Sequence, residues 1–209
     1  MAKYIAVDNK IPVALFNLEM SSVQLVKRLI SNVCELPGEK LKSGQLEKFE
    51  WTQLDERISV LENTPLYIDD TPSLSVFELR TKVRRLVREH DIKIIIIDYL
   101  QLMNASGMNF GNREQEVSTI SRSLKMLAKE LDIPIIALSQ LNRDVEKRKN
   151  DSGTNSRVPQ LSDLRESGAI EQDADMVCFL HRPEVYGIMQ DDYGDTKGIG
   201  YFILSLIHI

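Results

Sequence analysis

The chain has 209 residues, enough for about one and a half average domains. With 43% hydrophobic and 27% charged residues it has a globular composition, which excludes a collagen, a coiled-coil rod and a wholly disordered chain. A net charge of −5 argues against a general basic coat for nucleic acid but leaves room for a local one.

The opening residues, Met1 to Lys10, read as the tail of a helix. Pro12 to Leu18 (PVALFNL) reads as a buried strand. Ser21, with Gln24 three residues on, forms a capping box that opens a helix with Leu25, Leu29 and Val33 as its apolar stripe. Pro37 and Gly38 are expected to stop it. A second helix is expected from Gln45 to Leu61, with Trp51, Leu54, Ile58 and Leu61 on one face. Leu66 to Ile68 is a short strand that runs into Asp69-Asp70. Ser75 and Glu78 make another capping box, for a helix to Glu89 whose outer face carries Arg80, Lys82, Arg84, Arg85 and Arg88. Lys93 to Ile97 is a strand apolar on both faces, as in the middle of a parallel sheet. A loop, Asn104 to Asn112, leads to a helix from Arg113 to Leu131 and a strand from Pro134 to Leu138. Arg143 to Val158 is polar and charged. Met176 to Leu180 is a further strand, and Gly198 to Ile209 suggests one more.

Strands alternating with helices, and strands that are continuously apolar, predict an open, mostly parallel α/β sheet. No apolar run approaches the ~20 residues that span a bilayer, so no membrane partner is expected. Two cysteines, Cys34 and Cys178, and three histidines leave no spacing for a zinc site or a disulfide framework. A reducing, cytoplasmic compartment is the expectation.

Open α/β sheets carry function just beyond the carboxyl ends of their strands. The first strand ends in Asn17-Leu18-Glu19-Met20, the third in Asp98-Tyr99 and the fourth in Ser139-Gln140-Leu141. A glutamate, an aspartate and a glutamine at one edge are the groups that nucleoside triphosphate hydrolysis needs. A carboxylate holds magnesium through water, a second polarises the attacking water, and an amide senses the terminal phosphate. Each residue alone also reads as a turn or a helix cap, Glu19 and Gln140 more so than Asp98, and their joint occurrence favours the functional reading. The phosphate cradle that would complete the set, G-x-x-x-x-G-K-[ST], is absent: Gly38 and Gly44 are followed by Gln45, and Gly107 and Gly111 by Asn112.

Seven segments together resemble one family, the RecA-like motor domain of the bacterial replicative DNA helicases (the DnaB family). They are FNLEMS (Phe16 to Ser21), KLKSGQL (Lys40 to Leu46), YIDDTPSL (Tyr67 to Leu74), IIIIDYLQLM (Ile94 to Met103), EVSTISRSLKMLAKEL (Glu116 to Leu131), IPIIALSQLNRDVEKR (Ile133 to Arg148) and QLSDLRESGAIEQDAD (Gln160 to Asp175). The resemblance runs from Ala2 to Gly198. It implies a RecA-like P-loop NTPase three-layer fold that lacks the P-loop strand and the C-terminal hairpin. It implies Glu19 as the catalytic, water-activating glutamate, Asp98 as the Walker B aspartate that holds Mg2+, and Gln140 as the residue coupling the terminal phosphate to DNA. Asn104 to Asn112 matches the first channel-facing loop. Asp163 to Gly168 matches the second, with Arg165, Glu166 and Gly168 at positions that hold the DNA backbone.

The implied parent uses ATP and Mg2+, forms a homohexamer around single-stranded DNA, and works with primase and a helicase loader. Alternatives are a recombinase-like ATPase and a non-catalytic interaction module that has lost its cradle. The basic face from Arg80 to Arg88 is read as solvated surface or a subunit contact, Trp51 and Phe49 as packing, and Cys178 as a small core residue. His181 and Arg182 are assigned no role.

The sequence departs from the family at both ends, so a motor domain truncated at both ends is expected, without ATPase activity of its own. Leu204 to Ile209 is what the codons CTG TCT CTT ATA CAC ATC encode, a string that resembles a transposon end. The domain reading is therefore residues 1–203 plus a non-native tail, 204–209. An edge strand is the alternative.

Overall fold

The structure is a computed structural model that describes residues 1–105, 110–142, 144–148, 157–164 and 168–207. The chain divides into two compact units. The first comprises Met1–Gly107 with Met126–Leu138, and the second Met108–Lys125 with Ser139–Ile209.

In the first unit, four strands form one parallel sheet in the order β2-β1-β3-β4: β1 (Val13–Asn17), β2 (Leu66–Asp69), β3 (Ile94–Asp98) and β4 (Ile135–Ala137). Every residue of β1 is buried, and in β3 the three central isoleucines are. Two such apolar runs can lie side by side only inside a sheet covered on both faces. Their register pairs Val13 with Ile94 and Asn17 with Asp98, so both strands end level. On one face Val13, Leu15 and Ile96 form a buried cluster with Ala6 of a π-helical segment (Lys3–Asp8), and Leu25 packs against it.

Four helices complete this unit. Helix α1 (Ser22–Cys34) begins at the expected capping box between Ser21 and Gln24. It ends earlier than Pro37 and Gly38 suggest, at Glu35, which adopts a left-handed conformation with φ 56°. Pro37 instead caps a further short helix, α2 (Gly38–Ser43). Helix α3 (Lys48–Glu62) starts at a second box, between Glu47 and Glu50, after Gly44 has turned the chain with φ 70°. Leu54, Ile58 and Leu61 are half-buried on one face of it. Trp51 and Phe49, expected as packing, are 48% and 67% exposed. Helix α4 (Val76–His90) opens at the Ser75–Glu78 box and buries Leu79 and Val83.

On the basic face of α4, Arg80, Arg84, Arg85 and Arg88 are exposed, and part of the face is ion-paired. Arg80 and Arg84 both pair with Glu130, at 2.7 and 2.5 Å, and Lys82 pairs with Asp69 at 2.6 Å. Glu130 belongs to helix α5 (Arg113–Leu131), whose bounds are those the sequence predicts.

The second unit contains an antiparallel ribbon of β5 (Met176–His181) and β8 (Tyr201–Ile207). Between them lies an unforeseen hairpin of two-residue strands, β6 (Gln190–Asp191) and β7 (Gly194–Asp195). Residues 113–125 of α5 also belong to it, as do two short helices, α6 (Asp144–Lys147) and α7 (Gly168–Asp173). Leu204 pairs with Cys178 as part of β8, so the start of the odd tail continues a strand. No helix among the described residues is long and apolar enough to cross a membrane.

Candidate active site at the carboxyl edge of the parallel sheet

The level ends of β1 and β3 create the site. Asn17 and Asp98 are register partners, and the ladder extends one step further as the Leu18 amide donates to the Asp98 carbonyl at 2.7 Å. Asp98 is half-buried, whereas Glu19, one residue beyond Leu18, is exposed. Burial and then the charge of Glu19 push the Asp98 carboxyl above its ordinary value, and Arg28 of α1 opposes them. A half-buried carboxylate with a second negative charge beside it favours a cation. Both groups offer hard oxygen donors. Magnesium takes one or two protein carboxylates and completes its shell with water and phosphate oxygens, so this donor set suits it. Among the described residues no group of three or more His, Cys, Asp or Glu could hold a metal alone. The Asp98–Tyr99 peptide is cis.

The loop that carries Glu19 is held from two sides. The Asn17 side-chain amide donates to the Met20 carbonyl at 2.9 Å. From the end of β2, Asp70 accepts the Ser22 amide at 2.6 Å. That amide, and then the Ser22 hydroxyl, hold the Asp70 carboxyl below its ordinary value. Next to it, burial raises Asp69, but the Lys82 ammonium and the Thr71 hydroxyl and amide outweigh that and lower it overall.

Within the first unit, Asp98 ends β3 and Glu19 lies two residues beyond the end of β1. Gln140 belongs to the second unit, a few residues after β4. Arg165 and Glu166 lie outside the described residues, and Gly168 is the first residue of α7. In the first loop, Asn104 is anchored by a bridge to Ser75 and by donating to the Ser73 carbonyl at 2.6 Å. Residues 106–109 of that loop lie outside the description. At its far end, Asn112 accepts the Gln115 amide at 2.9 Å and so caps α5.

The description "DnaB-like helicase C terminal domain" matches residues 1–203. The chain belongs to the DnaB-like helicase C-terminal domain family. A curated relative, the replicative DNA helicase DnaB of Geobacillus stearothermophilus, is 47% identical over 186 residues, 89% of this chain and 40% of the relative. The replicative DNA helicase DnaC of Bacillus subtilis (strain 168) is 46% identical over 207 residues, 99% of this chain and 42% of the relative. The chain therefore spans about two fifths of the length of these relatives. A solved structure of a DnaB-like replicative helicase, studied for its interactions with primase, superposes with a TM-score of 0.84 at 36% identity. That match covers 96% of this chain and 46% of the other. The α/β architecture with its four-stranded parallel sheet agrees with the RecA-like reading.

In this DnaB-like domain the sequence reading missed three polar residues. Asn17 and Asp70 are the two already described. The third is Asp163, 4% exposed, which accepts the Gln160 amide at 2.8 Å and pairs with Arg148. It is the first residue of the segment, Asp163 to Gly168, that the resemblance matches to the second channel-facing loop. A capping-box pattern, Gln160 to Asp163, was the signal available for it.

Proposed function

We propose that this chain is the nucleotide-hydrolysing part of a replicative DNA helicase. Its parent couples ATP hydrolysis to stepping along single-stranded DNA and to opening the duplex ahead. The observation that carries the reading is the register of β1 on β3, with Glu19 beside Asp98 at the carboxyl edge of a parallel sheet.

Bound Mg2+ would offset the charge of the phosphate oxygens and of Asp98. Asp98 would hold it through water. Glu19, exposed and fixed at the loop, would orient the attacking water and take its proton. Gln140 would report the terminal phosphate to the DNA-contact segments. Arg165, Glu166 and Gly168 would hold the DNA backbone, a contact that fixes position without reading sequence. That suits a motor that must run over any sequence. The parent is proposed to be cytoplasmic and homohexameric, with primase and a loader as partners, and the motor portion of this chain to be residues 1–203, where the family match ends.

The 209 residues contain no G-x-x-x-x-G-K-[ST] cradle. Backbone amides and a lysine around the phosphates are the main source of attraction for a triphosphate. The chain by itself is therefore expected to show no ATPase activity. The experiment is to express the full open reading frame and follow ATP hydrolysis and unwinding of forked DNA. DNA-stimulated hydrolysis, with an in-frame cradle upstream of Met1, is the expected result. A stop codon and ribosome-binding site just upstream, with no hydrolysis, would favour a non-catalytic interaction module instead.

A further inference from the structure

The Glu19 loop is fixed by two residues that the proposed chemistry does not use. Asn17 is the last residue of β1 and 1% exposed. A fully buried strand end is an expensive place for an amide, because each polar atom left without a partner forfeits its bonds to water. Asn17 satisfies one half of its amide, donating to the Met20 carbonyl at 2.9 Å. Its Oδ1 is buried with no hydrogen-bond partner among the described residues. An apolar residue would serve packing better at this position. What Asn17 supplies is a bond closed across Leu18 and Glu19.

Asp70 acts on the other end of the same loop. It is exposed, it follows the neighbouring strand β2, and it accepts the Ser22 amide at 2.6 Å. Ser22 is the first residue of α1, and the Ser21–Gln24 box caps the same turn. The loop from Leu18 to Ser21 is thereby tied at its start to β3, across its middle by Asn17, and at its end to β2.

We infer that Asn17 and Asp70 are positioning residues for Glu19, holding its loop rigid at the edge of the sheet so that its carboxylate stands ready beside Asp98. Neither touches the reacting atoms. A general base works only when held in a narrow range of distance and angle, and a displacement of about 1 Å can cost 10²-fold in rate. The catalytic meaning of this assignment rests on the reading of Glu19 given above; the rigidity of the loop does not.

The test on this chain is the backbone 15N order parameter from Leu18 to Ser22 in the Asn17→Ala and Asp70→Ala variants. The expected result is a fall from about 0.85 to below about 0.6 in that loop, with Ile95 to Ile97 unchanged. A loop that stays rigid in both variants overturns the inference. So does a loss of order spread evenly through the sheet, which would mark a merely structural role. If Asn17→Ala does not fold, Asp70→Ala, at an exposed position, decides alone.

In the full-length protein, each variant should lower kcat for DNA-stimulated ATP hydrolysis by about ten- to a hundredfold, with KM for ATP unchanged. Neither should lower it further in a Glu19→Gln background. Additive losses there overturn the inference. Full activity of Glu19→Gln would instead sink the reading of Glu19, while the order parameters still decide whether the loop is held.

Discussion

His181, the last residue of β5, gives a stability prediction that can be worked from the structure. It is 3% exposed, and its ring stacks on Tyr186 with centroids 5.6 Å apart and planes 16° from parallel. Neither ring nitrogen has a hydrogen-bond partner among the described residues. A buried polar group left unpaired costs about 1–3 kcal/mol. His181→Phe removes both nitrogens and keeps a flat ring against Tyr186. Part of the gain is returned as overpacking by the larger ring. A net stabilisation of about 1 kcal/mol is expected, or about 2–4 °C in Tm for a chain of this size.

The same substitution should change the response to acid. Burial pulls the His181 imidazole below its ordinary value of 6.5. A group whose folded pKa is depressed contributes stability above its unfolded pKa and loses it as pH falls through the window down to the folded one. Wild-type protein should therefore lose stability as pH drops below about 6.5, and His181→Phe should lose less. Thermal melts of both proteins at pH 7.5 and 5.5 give the comparison. A variant that melts lower at pH 7.5, or a gap that does not widen at pH 5.5, would refute the reasoning.

Other residues give further outcomes. Asp98→Asn should raise stability at pH 7 by up to about 1 kcal/mol, because it removes a half-buried carboxylate facing Glu19. The sign follows from a raised folded pKa: protonation favours the fold, so the advantage of the variant should shrink as pH falls through the raised value to the ordinary aspartate value and level off below it, read by urea melts at pH 7 and 3.5. Ile95→Ala, at a fully buried position in β3, should cost about 2–5 kcal/mol and show as a lower urea midpoint. Glu130→Gln should weaken the tie of α4 to α5, since Arg80 and Arg84 share that carboxylate. Hydrogen exchange in α4 should rise while β1 and β3 keep their protection.

The elements legible in the sequence were those whose signals are local. Capping boxes at Ser21 and Ser75 mark the starts of α1 and α4, and the apolar runs of β1 and β3 announce buried parallel strands. The adjacency of Glu19 and Asp98 follows from those strands once they pair in register. What could not be read depends on distant partners or weak patterns. Pro37-Gly38 is a stop signal by composition, yet here Pro37 is an extended residue before α2. The two-residue strands β6 and β7 are too short to show any periodicity. Trp51 has helical spacing with Leu54 and Ile58 but lies outside their half-buried face. Asp70 finds its partner 48 residues away in sequence, a pairing that exists only because β2 lies beside β1. Asn17 reads as an ordinary strand end until its burial is known.

The central claim is that Glu19 and Asp98 act together on a magnesium-bound nucleotide. Its most direct test is the Mg2+ dependence of DNA-stimulated ATP hydrolysis by the full-length protein with Glu19→Gln or Asp98→Asn. Glu19→Gln should lower kcat by about 10²-fold or more, the scale of general-base catalysis, at an unchanged Mg2+ requirement. Asp98→Asn should raise the Mg2+ concentration needed for half-maximal rate. Two variants that hydrolyse ATP at the wild-type rate over the same Mg2+ range would contradict it.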